Sequence, residues 1–98
     1  MPLSSDEYDN LAFDLNLLIT FLVVYQEQGV TRAAERLQVT QPAVSNTLKK
    51  LRAIFRDELF LRKGRTLIAT QRATEIAEIL KTVPCAVAQA LELAKRSC

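Results

Sequence analysis

The chain has 98 residues, enough for one domain with a modest core, and its makeup is globular: 49% hydrophobic and 24% charged, with two glycines and three prolines. It has no histidine, which excludes a Cys/His zinc site, a Cys-His nucleophile and a Ser-His-Asp triad. Cys85 and Cys98 lack CxxC spacing and read as reduced thiols of a cytoplasmic protein, and the most apolar run, residues 17–25, is too short to span a bilayer. No enzyme activity, metal, cofactor or membrane association is expected.

Net charge is only +2, but it is unevenly placed. Residues 1–14 hold four acids (Asp6, Glu7, Asp9, Asp14) and no Lys or Arg. Residues 49–72 hold Lys49, Lys50, Arg52, Arg56, Arg62, Lys63, Arg65 and Arg72 against Asp57 and Glu58 alone. A cation-dense segment is the electrostatic footprint of phosphate binding.

In chain order, residues 1–12 are acidic and aperiodic, predicting a flexible arm. Asp14 reads as the cap of a first helix, with Phe13 stapled onto Leu18. Leu15, Leu18, Ile19, Leu22, Val23 and Tyr25 form its apolar face, and Gly29 is its stop. Thr31 reads as the cap of a short second helix ending at Leu37, with Ala33, Ala34 and Leu37 inward. Two alanines let another helix cross closely. Residues 38–40 make a tight turn with Val39 plugging the corner.

The organising stretch follows, residues 40–55, TQPAVSNTLKKLRAIF. Thr40 or Gln41 caps it, and Pro42 suits the first turn, where an N–H has no partner to lose. At 100° per residue, Ala43, Val44, Thr47, Leu48, Leu51, Ile54 and Phe55 share one arc, and Gln41, Ser45, Asn46, Lys49, Lys50 and Arg52 share the other. Amides and a hydroxyl near the N-terminus suit base edges, and cations further along suit phosphates. Such a face is also what any solvated helix presents; the short helix and tight turn before it favour a helix-turn-helix.

Residues 59–62 and 66–68 read as a two-stranded hairpin turning at Lys63, Gly64 and Arg65, with Gly64 supplying a positive φ. Cations at its tip suit a wing on a DNA backbone or in the minor groove. Thr70 reads as the cap of a last helix over residues 71–95. Ala73, Leu80, Val87 and Ala94 fall on one heptad position and Ile76, Val83 and Ala90 on another, with Leu91 alongside, a seam suited to a second copy of the chain. Pro84 interrupts it and predicts a kink or break at residues 80–82.

From about Phe13 to Ala73 these residues resemble the N-terminal DNA-binding domain of LysR-type transcriptional regulators. The resemblance rests on VTRAA (30–34), followed at family spacing by TQPAVS (40–45), then Leu48, Leu51, Asp57, Leu59, Phe60 and Arg62. The Val-Ser-Asn variant in the reading helix is most similar to the nodulation and LeuO-like branch. The resemblance implies a mainly α, winged helix-turn-helix at 13–69 and a long dimerising linker helix at 70–98. It implies sequence-specific binding of double-stranded DNA, as a homodimer on a pseudo-palindromic operator, by a bacterial protein associated with the nucleoid. Carried over by position, Gln41, Ser45 and Asn46 meet base edges, with Pro42 beside them. Lys49 and Arg52 meet bases or phosphates, Thr31 and Arg32 the backbone, and Arg62, Lys63 and Arg65 form the wing contacts. Residues 70–73, Thr-Gln-Arg-Ala, depart from the Thr-Pro common in the family, which implies a different entry angle for the linker helix. Family members continue into a larger effector-binding domain that these 98 residues do not contain, so a small-molecule effector is expected only through such a domain. The competing reading is a winged-helix interaction module that antagonises a related regulator through its last helix.

Overall fold

The computed structural model describes the backbone of residues 5–96 and the side chains of residues 15–93. The element order is α1 (Ser5–Glu27), α2 (Val30–Leu37), α3 (Gln41–Phe55), β1 (Phe60–Lys63), β2 (Thr66–Ala69), α4 (Gln71–Leu80) and α5 (Val83–Arg96). Helices α1, α2 and α3 pack on one another, the two strands form an antiparallel hairpin, and α4 packs against α1 and β2. This is a winged helix-turn-helix followed by a helical arm.

Helix α1 starts at Ser5, nine residues before the expected cap at Asp14. The expected arm is therefore helical over residues 5–12, and residues 1–4 lie outside the described residues. No Gly or Pro falls between Ser5 and Glu27 to interrupt the helix. The buried face is also rotated from expectation: Leu17, Phe21, Leu22 and Val24 are buried, whereas Leu15 and Ile19 are exposed. The apolar run at 17–25 is broken only by Thr20, so periodicity could not phase it.

The helix ends are closed by left-handed residues that are not glycine. Gln28 (φ 56°) ends α1, Gln38 (φ 58°) ends α2 and Arg56 (φ 52°) ends α3. Past α2, the amide of Val39 donates to the carbonyl of Ala34 at 3.0 Å, a 6→1 closure. Gly29, the expected stop, is instead the N-cap of α2 in extended conformation, and Thr31 lies inside the helix rather than capping it. Thr40 does cap α3, its Oγ1 accepting from the amide of Ala43 at 3.2 Å, with Pro42 in the first turn.

Ala33, Ala34, Val44, Leu48 and Leu51 form the buried crossing of α2 and α3. Three residues expected inside are not there: Val39 is 47% exposed, Ile54 is 49% exposed, and Ala43 is exposed as well. Phe21 sits at the centre of the core, its ring 5.5 Å from Phe60 and 6.3 Å from Tyr25.

In the wing, Phe60 pairs with Ala69 and Lys63 with Thr66, leaving Gly64 and Arg65 as a two-residue turn. Gly64 has φ 64° and Arg65 is not among the positive-φ residues, the pattern of a connection whose first central residue is Gly. Leu59, Phe60 and Leu67 bury one side of the hairpin, while Leu61 and Ile68 stay exposed.

The last helix is broken where Pro84 predicts it: α4 ends at Leu80, Lys81 and Thr82 form a turn, and α5 begins at Val83 with Pro84 in its first turn. Thr70 caps α4, its Oγ1 accepting from the amide of Ala73 at 3.1 Å. Among the described residues no helix is long and apolar enough to cross a membrane.

Candidate nucleic-acid interface

The helix-turn-helix sets α3 with Val44, Leu48 and Leu51 inward, so Gln41, Pro42, Ser45, Asn46, Lys49 and Lys50 are all exposed. The wing is brought beside this face by one backbone bond, the amide of Leu67 donating to the carbonyl of Gln28 at 3.0 Å. Between them opens a cleft of about 720 Å³. Thr31 and Arg32 of α2, Gln41 and Ser45 of α3, and Arg62 and Arg65 of the wing all line it. Six of the residues singled out from the sequence, from three separate elements, thus face one open groove.

The groove has features that the sequence reading missed. Gly29 caps α2 without a side-chain hydrogen bond, and it and Val30 line the groove floor. Free amides at a helix N-terminus attract anions. Glu27 and Glu35 also line the groove and oppose its cations. Glu27 is partly neutralised by Arg36, whose Nη1 donates to Glu27 Oε2 at 3.0 Å and to Gln26 Oε1 at 2.8 Å. Neither acid is predictable as groove-facing from periodicity, because each faces outward from its own helix.

The remaining expected residues lie elsewhere. Asn46 and Lys49 continue the exposed α3 face beyond the cleft, and Lys63 is exposed at the end of β1. Arg52 differs from expectation. It is half-buried, and its Nε donates to the carbonyl of Glu58 at 3.0 Å, which ties α3 to the segment before the wing. Arg72, counted among the basic run, likewise donates to the carbonyl of Phe55 at 3.1 Å.

Asp57 lies in the segment between α3 and the wing. Its Oδ2 accepts from the amide of Leu59 at 2.9 Å and from the hydroxyl of Thr70 at 2.6 Å. Those bonds, and then the nearby charge of Arg72, hold its carboxyl below the ordinary carboxylate value.

The expected dimer seam divides. Ala73 is fully buried in the chain's own core, so it offers a partner no surface. Ile76 and Leu80 are half-buried against the same core and Val83 is half-buried. Val87, Ala90 and Leu91 are exposed on α5, and the side chain of Ala94 lies outside the described residues.

Residues 15–74 match the family model described as "Bacterial regulatory helix-turn-helix protein, lysR family". The chain belongs to this lysR family. Among its relatives, the HTH-type transcriptional regulator LeuO of Escherichia coli (strain K12) is 52% identical over 63 residues, covering 64% of this chain and 20% of LeuO. Nodulation protein D 2 of Bradyrhizobium elkanii is 44% identical over 64 residues, covering 65% of this chain and 19% of that protein. Both agree with the nodulation and LeuO-like branch expected from the Val-Ser-Asn stretch. The fold is similar to that of the BenM DBD/benA site 1 DNA complex, with a TM-score of 0.72 and 26% identity over 86% of this chain and 98% of that one. The lysR-family chain spans about a fifth of the length of the curated relatives it matches.

Proposed function

We propose that this lysR-family chain is a sequence-specific DNA-reading module of a bacterial transcription regulator, acting as a homodimer on a two-fold operator. The observation that carries the reading is the convergence of Thr31, Arg32, Gln41, Ser45, Arg62 and Arg65 on one open groove. Likeness to the BenM DBD/benA site 1 DNA complex supports double-stranded DNA as the ligand.

In this reading α3 lies in the major groove. Gln41, Ser45 and Asn46 address base edges through their amides and hydroxyl. Pro42 rigidifies the helix start between them, and Lys49 follows toward the phosphates. Thr31, Arg32 and the N-terminal amides of α2 hold one stretch of backbone. Arg62, Lys63 and Arg65 hold the backbone or minor groove on the wing side. Phosphate neutralisation supplies most of the affinity, so binding falls steeply with salt. Dimerisation uses the α5 residues Val87, Ala90 and Leu91, which are exposed.

The deciding experiment is fluorescence anisotropy of the chain on a two-fold symmetric duplex selected from a random pool, and on its shuffled counterpart, across a salt series. Tight, salt-steep binding that prefers the selected duplex, with two chains per duplex, is expected. No binding at low salt would instead favour a protein-interaction module.

A further inference from the structure

The most basic stretch of the chain carries Asp57, and on electrostatic grounds an acid there weakens phosphate binding. Its surroundings give it another use. The residue that starts the wing, Leu59, is fully buried yet has φ 64°, a conformation that branched, bulky residues avoid at a cost. It is held there from both ends: its amide donates to Asp57 Oδ2, and its carbonyl accepts from the amide of Thr70 at 2.9 Å. The Thr70 hydroxyl closes the ring by donating to the same Asp57 oxygen while accepting from the amide of Ala73. One carboxylate oxygen therefore joins the end of α3, the start of β1 and the start of α4.

We propose that Asp57 is a positioning residue for DNA recognition, fixing the wing, and with it Arg62 and Arg65, at the distance from α3 that a duplex requires. The inference rests on the DNA-reading function proposed above. Asp57 touches no DNA and acts through the backbone of Leu59. Since a single oxygen accepts both bonds, an Asn side chain can keep the geometry while removing the charge.

The test compares binding of the 98-residue chain to a short random-sequence duplex at low salt, with folding checked by circular dichroism. Asp57→Asn is expected to bind as tightly as the unmodified chain or more tightly. Asp57→Ala is expected to bind several-fold more weakly, the opposite of what loss of a negative charge does alone. Arg65→Ala should also weaken binding and lower the salt slope by about one, and in that background Asp57→Ala should cost little more. Thr70→Val, which removes the donor together with the α4 cap and leaves the carboxylate, serves as a second variant should Asp57→Ala not fold, with the same weakening expected. Binding by Asp57→Ala and Thr70→Val as tight as the unmodified chain's overturns the inference, as does an undiminished Asp57→Ala loss in the Arg65→Ala background. Failure of the unmodified chain to bind any duplex overturns the DNA-reading function itself.

Discussion

The amide of Leu67 donates to the carbonyl of Gln28 at 3.0 Å, so the second wing strand is bonded to the corner between α1 and α2. Gln28 is itself in the left-handed region, which turns its carbonyl out of the helical ladder and toward the strand. Two segments 39 positions apart in the chain thereby become the two walls of the groove. The wing's cations face the N-terminus of α2 because of this bond and the burial of Leu67 beneath it.

The core under that groove is small, and Phe21 is its largest fully buried side chain. Phe21→Ala should cost about 3–5 kcal/mol, a large part of the stability of a domain this size. Ile54→Ala, at an exposed position that the helical pattern places inside, should stay within about 0.5 kcal/mol. Urea midpoints for the two variants check both. Equal losses would return Ile54 to the core.

Base readout by α3 predicts that Gln41→Ala costs about 1–3 kcal/mol on a selected duplex and relaxes base preference. Competition between selected and random duplexes measures it. An equal loss on both would make Gln41 a backbone contact.

Acid should weaken the α3–wing joint. The carboxyl of Asp57 is held below its ordinary value by Thr70, Leu59 and Arg72, so its contribution to stability is fully present above the unfolded value, near pH 4. It is lost as pH falls through the lower folded value. The difference in urea midpoint between the unmodified chain and Asp57→Asn is therefore expected to hold steady at neutral pH and to shift in favour of Asp57→Asn below about pH 4. A difference that does not vary with pH would mean the carboxylate's charge contributes nothing.

Self-association through α5 predicts that Leu91→Asp yields monomers in sedimentation equilibrium. Leu91 is 59% exposed, so the substitution leaves the folded core intact. Leu80, expected on the same seam, is half-buried against the chain's own core, and Leu80→Asp would confound dissociation with unfolding. A persisting Leu91→Asp dimer would place the interface elsewhere.

Local chemistry settled much of this protein before any tertiary contact. Thr40, Pro42 and the arc of Val44, Leu48 and Leu51 define α3, Thr70 defines the start of α4, Gly64 defines the wing turn, and Pro84 breaks the last helix, because caps, turns and helical period act over a few neighbouring residues. The candidate reading face was legible for the same reason: once the buried arc of α3 is known, Gln41, Ser45 and Asn46 must lie opposite it. Only the tertiary structure decided which side of the apolar run in α1, residues 17–25, is buried, and that Val39 and Ile54 remain outside. It also ties Arg52 into a joint with Glu58 and withdraws Ala73 from the seam expected of it into the core. Asp57 is the clearest case, an acid that looks misplaced among cations until Leu59 and Thr70 are brought to it. Its bond to the Leu59 amide is a local one, two residues on, but its bond to Thr70 is closed across 13 residues, a distance that no local pattern encodes.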